Sequence, residues 1–268
     1  MEMELTRRVL NTSPGVVSYL RSAGATTKRT GLFIHGLGCD GAWFLEHFAR
    51  QDLSFLTWLV PDLLGHGESA RVEDPAAYRM ETQAKALAEL LAIEGSTELV
   101  MVAHSMGGLI ALRLAEILGR WSSPRVLGLA YAEGNIDEND TFVSRTIAEQ
   151  SRETFFTSGW GRLIGDLSGD PQMASYVRTL TSAGPLTVHA SCLSVVAQSR
   201  EEVTTPLLRR FTFPKLFIFG ERNCGRFTSE LVAQRLGEVC YVPDAGHAMY
   251  EDNPEAFWTL IRSFCASL

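Results

Sequence analysis

Residues 100–108 read "VMVAHSMGG", an apolar run that ends at His-Ser and passes at once into two glycines. Ser105 stands between this strand-like run and a helix-like segment, "MGGLIALRLAEIL" (106–118). So sharp a turn strains the backbone of its central residue and points the side chain away from the sheet. Small residues two before and two after, here Ala103 and Gly107, let the helix approach the strand. A serine presented in this way can attack an electrophilic carbonyl once a neighbouring base takes its proton. The plainer alternative is a helix N-cap serine. "FIHGLG" (33–38) supplies a second part of the same chemistry. A glycine loop after an inner strand frees one backbone N–H for a developing oxyanion, and the residue after the nucleophile supplies another. The two donors are then Leu37 and Met106, with His35 a structural residue of the loop. Serine chemistry also needs a base and an acid, and both must come from elsewhere in the chain.

The elements that would position these groups follow from apolar patterning. Two β-type segments, around 5–10 and 15–20, flank the turn signal "NTSPG". "TGLFIHG" predicts a third strand, "GAWFLEHFARQ" a helix, and "TWLVPDL" a further strand. A helix over about 76–94 carries Ala84, Leu87, Leu90 and Leu91 at apolar positions, and "ELVMVAHS" and "RVLGLAYAE" read as strands. Continuous apolar strands alternating with helices indicate a parallel sheet covered on both faces. After Glu133 the rhythm breaks, and residues 135–210 show helix-like stretches interrupted by Gly and Pro. It resumes with "PKLFIFG", a helix near 228–236, the strand "EVCYVP" and a last helix from about 254. The expected fold is α/β: a mostly parallel central sheet with helices on both faces and an inserted helical cap. Residues 1–134 and 211–268 would form the core, and 135–210 the cap.

The 268 residues are enough for a sizeable core, and 46% hydrophobic with 21% charged is ordinary for a globular chain. A net charge of −7 without a Lys/Arg cluster argues against nucleic acid or an anionic membrane as partner. "MEMELTRRVL" has early acids and no apolar run, so no secretory signal is expected. The charge-free "TSAGPLTVHASCLSVVAQS" (181–199) holds Pro, Gly, His and many Ser/Thr, which argues against a membrane span. Five cysteines without a C-x-x-C pair point to reduced thiols in a cytoplasmic protein and to no structural zinc.

"FIHGLG", "DLLGHGES", "VAHSMGG" and "VPDAGHAMYEDNPEAF", in this order, resemble the α/β-hydrolase fold superfamily. The likeness runs over about residues 15–265, the cap excepted. Ala103 departs from the leading glycine of the G-x-S-x-G consensus, and is small enough to serve. "DLLGHGES" resembles the loop after the next strand, where His66 reads as structural. The resemblance places the base at His247, after the last strand and before the last helix, and keeps the serine, acid, histidine order. His104 is expected to face away from the nucleophile, His47 to lie on a surface helix and His189 in the cap.

The acid departs from the commonest pattern. Many relatives carry Asp in a G-x-x-D turn after the strand that follows the cap. Here the turn reads "FGERN", with Asn223 at that position. An amide can hold the ring by a hydrogen bond but cannot stabilise an imidazolium by charge. "VLGLAYAEGN" instead delivers Glu133 to the C-terminal edge of the sheet, where open α/β sheets build their sites. Several haloalkane dehalogenases of the superfamily carry their acid at this topological position. Glu133 is therefore the expected acid, with Glu221 and Asp244 as the alternatives; Asp244 fits the turn before His247, and Glu221 fits an outward position. Asp137, Glu138 and Asp140 read as a solvated face. Cys39, Cys192 and Cys224 lie near the pocket or pack as small apolar residues. Phe155, Phe156, Trp160 and Leu163 line an apolar pocket or form the cap's own core.

Together these features predict a serine hydrolase, without metal or cofactor, acting on a small ester, thioester or lactone through an acyl-enzyme on Ser105. A serine in place of an aspartate argues against the alkyl-enzyme chemistry of dehalogenases and epoxide hydrolases. The rivals are an acyltransferase or lyase with the same triad, and a ligand-binding receptor with little turnover. The partner is a small acyl substrate; oligomeric state is not written in the sequence.

Overall fold

Eight strands form one sheet in the order β1-β2-β4-β3-β5-β6-β7-β8 in the computed structural model, which describes residues 4–23, 28–44 and 53–268. They are β1 (Leu5–Asn11), β2 (Val16–Ser22), β3 (Arg29–Ile34), β4 (Thr57–Pro61), β5 (Glu98–His104), β6 (Arg125–Ala132), β7 (Lys215–Gly220) and β8 (Glu238–Val242). The β1–β2 hairpin turns through reciprocal Thr12 and Gly15 backbone hydrogen bonds. β1–β2 and β2–β4 pair antiparallel, and every pairing from β4 through β3 to β8 is parallel. Beyond their first residues the inner strands are largely apolar, because both faces are covered.

Alternation along the strands divides the core in two. Leu32, Ile34, Met101, Ala103 and Leu129 meet helices α1 (Met80–Ile93) and α2 (Met106–Leu118) on one face. Phe33, Val100, Val102 and Ala130 face the other way, toward the Phe257, Trp258 and Ile261 side of the C-terminal helix Pro254–Ser267. The edge strand β1 carries two charged side chains, Arg7 bonded to Asp62 and Ser18 and Arg8 bonded to Glu94, and charge on an edge strand disfavours further pairing.

Two boundaries shift from the sequence reading. The helix expected from 76 begins at Met80, because Asp74 and Pro75 start a separate 3-10 turn and Arg79 is extended (φ −69°, ψ 147°). Gly41–Phe44 is a 3-10 turn, and the rest of the helix expected there, His47 included, lies outside the described residues.

Residues between β6 and β7 form α3 (Phe142–Ala148), a helical run over 152–168 whose last part is α4 (Trp160–Ser168), α5 (Ala174–Gln198) and α6 (Glu201–Arg210). These helices enclose a cluster of Ile147, Phe155, Leu180, Val188 and Cys192. His189, on α5, stacks on Phe155 and bonds the Gln150 carbonyl at 3.0 Å. The stretch Pro171–Gln198 is long and apolar enough by composition to cross a bilayer, but half of its most apolar window is buried in the protein. Gly184 (φ 80°, ψ 165°) breaks α5 just before Pro185, and neither half reaches the ~20 residues that a bilayer requires. The C-terminal part adds α7 (Thr228–Ala233) and α8 (Pro254–Ser267).

Candidate active site

Ser105 occupies the turn between β5 and α2 with φ 54° and ψ −126°, a conformation that L-residues rarely adopt. Its N–H donates to the Ala132 carbonyl at 3.0 Å, and the Gly108 N–H donates to its own carbonyl at 2.8 Å. The glycines are required by close approach. A Cβ on Gly107 would lie 2.3 Å from the Ile34 carbonyl oxygen, and one on Gly36 would lie 3.1 Å from the Ser105 Cβ. The serine turn and the 36–38 loop therefore sit against each other. Ala103, at the consensus glycine position, is fully buried in β5.

Two buried histidines pin the 36–38 loop. His35 donates from Nδ1 to the Gly36 carbonyl at 2.8 Å and accepts the Leu63 N–H at Nε2, at 3.0 Å. His66 donates from Nδ1 to the Leu64 carbonyl and accepts the Gly38 N–H at Nε2, both at 3.2 Å. One donor and one acceptor per ring is the pattern of neutral imidazole. Burial accordingly pushes His35 down and His66 down to about 3. Both are the structural residues that their loops lead one to expect. The backbone amides of Leu37 and Met106 have no hydrogen-bond partner among the described residues, and both residues line the same cavity as Ser105.

The carboxylate of Glu133 lies at the end of β6, where the backbone turns through φ 38°. Its Oε1 accepts the Gly220 N–H at 2.8 Å, and its Oε2 accepts the Nδ1–H of His247, also at 2.8 Å. The Asn223 amide donates to both oxygens at 3.0 Å. Burial opposes ionisation, but the His247, Asn223 and Gly220 interactions outweigh it and hold the carboxyl below its ordinary range. Asn223 thus grips the carboxylate rather than the imidazole ring. Glu221 and Asp244 are engaged elsewhere: the Asp244 N–H donates to Glu221 at 3.0 Å, and Asp244 takes φ 55° in the turn before His247.

His104 has partners that its place in the sequence does not indicate. Its ring packs beside that of His247, centroids 4.6 Å apart, and edge-on to Tyr250 at 4.9 Å. Its Nε2–H donates to the His247 backbone carbonyl at 2.8 Å, while its buried Nδ1 has no partner among the described residues. Burial, together with the neighbouring His247, pushes its pKa well down. This neutral ring ties the serine turn to the loop that carries His247.

Asp137 and Asp140 are likewise not a solvated face. Asp137 accepts from the Asn139 N–H and from the Thr228 hydroxyl, and Asp140 accepts from the Ile136 and Asp137 amides and the Ser229 hydroxyl. They satisfy the free amides at the turn leading into α3, a capping box that sequence polarity alone does not distinguish from solvent exposure. Burial raises Asp140 to about 6. Glu138 is exposed.

A cavity of about 440 Å³ opens over Ser105 and His247. α3, α4 and α5 supply much of its apolar wall, together with Leu37, Trp43 and Tyr250, and Arg222, Glu251 and Asp252 border it as charged groups. Leu163 lines it, whereas Phe155 is the buried centre of the inserted helices and packs Phe156 and Trp160 around it. Cys39 borders the cavity with its thiol pushed up by burial, Cys192 lies in the helical cluster, and Cys224 is exposed. Among the described residues no group of three or more His, Cys, Asp or Glu side chains converges as a metal site would require.

Residues 32–260 match the sequence model of the Alpha/beta hydrolase family. The lipase LipV of Mycobacterium tuberculosis (strain ATCC 25618 / H37Rv) is 37% identical over 84 residues, which is 31% of this chain and 30% of that protein. The chain spans only 24% to 30% of the length of the mycobacterial relatives it matches. An enol-lactonase from Burkholderia xenovorans LB400 superposes with a TM-score of 0.78 at 17% identity, covering 97% of this chain and 100% of the other. A mutant of the N-acyl homoserine lactonase AidH, complexed with N-hexanoyl homoserine, superposes with a TM-score of 0.76 at 20% identity, covering 98% and 97%. At these identities the likeness to the two structures is one of fold.

Proposed function

Since the chain belongs to the alpha/beta hydrolase family, we propose that it is a serine hydrolase that cleaves a small, partly apolar ester, thioester or lactone through an acyl-enzyme on Ser105. The observation that carries this reading is the 2.8 Å pairing of His247 Nδ1 with Glu133, at the sheet edge that holds the strained Ser105 turn. With Nδ1 occupied, the neutral imidazole keeps its Nε2 lone pair to accept the serine proton.

Ser105 Oγ attacks the substrate carbonyl carbon as His247 takes the hydroxyl proton. Glu133 fixes the tautomer and stabilises the imidazolium. The Leu37 and Met106 amides receive the negative charge that develops on the carbonyl oxygen. The bond from carbon to the leaving oxygen or sulfur breaks, and His247 returns the proton to the leaving group. Water then attacks the acyl-enzyme with His247 again as base, releasing the acid and restoring Ser105. No step draws on a metal or cofactor. Residues 135–210 act as the cap over a core of 1–134 and 211–268. The lipase and the lactonases that this chain resembles support acyl cleavage. The five unpaired cysteines support a reducing, cytoplasmic setting.

The test is turnover of a p-nitrophenyl ester by the purified protein and by Ser105→Ala. A hydrolase loses on the order of 10⁴-fold or more in kcat. A receptor would instead keep its ligand affinity with little turnover in either form, and an acyltransferase would divert product to added alcohol or thiol.

A further inference from the structure

The walls of the cavity narrow the substrate further. Three helices each turn an i, i+4 apolar pair toward it: Val143 and Ile147 from α3, Leu163 and Leu167 from α4, Tyr176 and Leu180 from α5. Residues four apart share one helix face, so each pair forms a continuous apolar strip. The strips face a cavity of about 440 Å³, which bounds the length of a chain that lies between them.

Charge at the cavity has one dominant sign. Asp140, Glu251 and Asp252 border it, and Arg222 is the only Lys or Arg in its wall among the described residues. The Arg222 guanidinium is bonded to Asp252, which also accepts the Gly246 N–H at 2.7 Å. An anionic substrate group would therefore meet carboxylates, with no uncommitted cation in the described wall to replace its lost hydration. A polyphosphate carrier, as in a coenzyme thioester, would be disfavoured for the same reason.

We propose that the substrate is electrically neutral: a carboxylic ester or lactone whose unbranched acyl chain, of medium length, lies between these helices with its carbonyl at Ser105. This inference rests on the serine hydrolase reading and narrows it. The same field acts on the product. The released acid ionises at neutral pH and is repelled by the carboxylates that tolerated the neutral ester.

The experiment compares dimethyl suberate with monomethyl suberate, which share a chain and a reactive ester but differ by one carboxylate. Beyond the twofold statistical factor, kcat/KM for the monoester is expected to be at least about tenfold lower, with the gap narrowing as salt is raised. A p-nitrophenyl series from acetate to palmitate is expected to peak at medium chain length, and Leu163→Trp to move the peak to shorter chains. Equal or better turnover of the anionic ester, a peak at palmitate, or a peak that Leu163→Trp leaves in place would overturn the inference. If esters turn over through Ser105 without these preferences, only this inference falls. If no ester is turned over and Ser105 is unreactive, the serine hydrolase reading falls with it.

Discussion

The side-chain amide of Asn223 donates to both carboxylate oxygens of Glu133, at 3.0 Å each, while His247 takes one of those oxygens at 2.8 Å. Asn223 thereby supports the carboxylate proposed as the acid, which follows the preceding strand. Replacing Glu133 by Gln removes the charge and allows the wrong imidazole tautomer, a change that costs about 10⁴ in kcat in the serine protease case. Replacing Asn223 by Ala removes a hydrogen bond to a charge, worth ~1.5–3 kcal/mol, so a loss of roughly 10- to 100-fold is expected. Steady-state kinetics with one p-nitrophenyl ester ranks the two variants. If Asn223→Ala proves the more damaging, Glu133 is not the acid.

Acid stability should report the buried histidine pair. Burial holds His66 at about 3 against an ordinary 6.5, and pushes His35 down as well. As the pH falls through this window the unfolded chain binds protons that the folded chain does not. Stability present above about pH 6.5 is therefore lost toward pH 3, by up to ~1.4 kcal/mol per pH unit for each such group. Melting temperatures measured from pH 7 to pH 4 should fall less steeply in His66→Gln than in the parent, whatever the absolute offset. Parallel curves would mean that His66 does not titrate as described.

Two glycine-to-alanine changes should act in opposite directions. A Cβ on Gly107 would lie 2.3 Å from the backbone oxygen of Ile34, which cannot move without disturbing β3. Gly107→Ala is expected to destabilise by ~3 kcal/mol or more, or to leave no soluble protein. Gly161 lies within α4 with nothing inside 4 Å of the added carbon, so Gly161→Ala should stabilise by ~0.5–1 kcal/mol. Thermal denaturation of the two variants checks both signs, and a tolerated Gly107→Ala would show that the turn is looser than its geometry requires.

Most of the sheet was legible because each inner strand contains a short apolar run, and α2 begins directly after Ser105 as its patterning indicates. The pairing of Glu133 with His247 could be anticipated because each follows a strand at the edge where such sheets build their sites. What escaped was set by contacts between distant segments. His104 gives no local sign that it will donate to a carbonyl 143 residues away. Asp137 and Asp140 look like surface acids until Thr228 and Ser229 are seen to close over them. The partner of the Asn223 amide could not be read until Glu133 was brought beside it.

The central claim is that Ser105 is a nucleophile activated by His247 and Glu133. Intact-mass analysis after exposure to a fluorophosphonate probe tests it most directly, with peptide mapping of the adduct. The expected result is one adduct per chain, located on Ser105, absent in Ser105→Ala and formed far more slowly in Glu133→Gln. Adduct formation that persists undiminished in Ser105→Ala, or that maps to another residue, would contradict the claim.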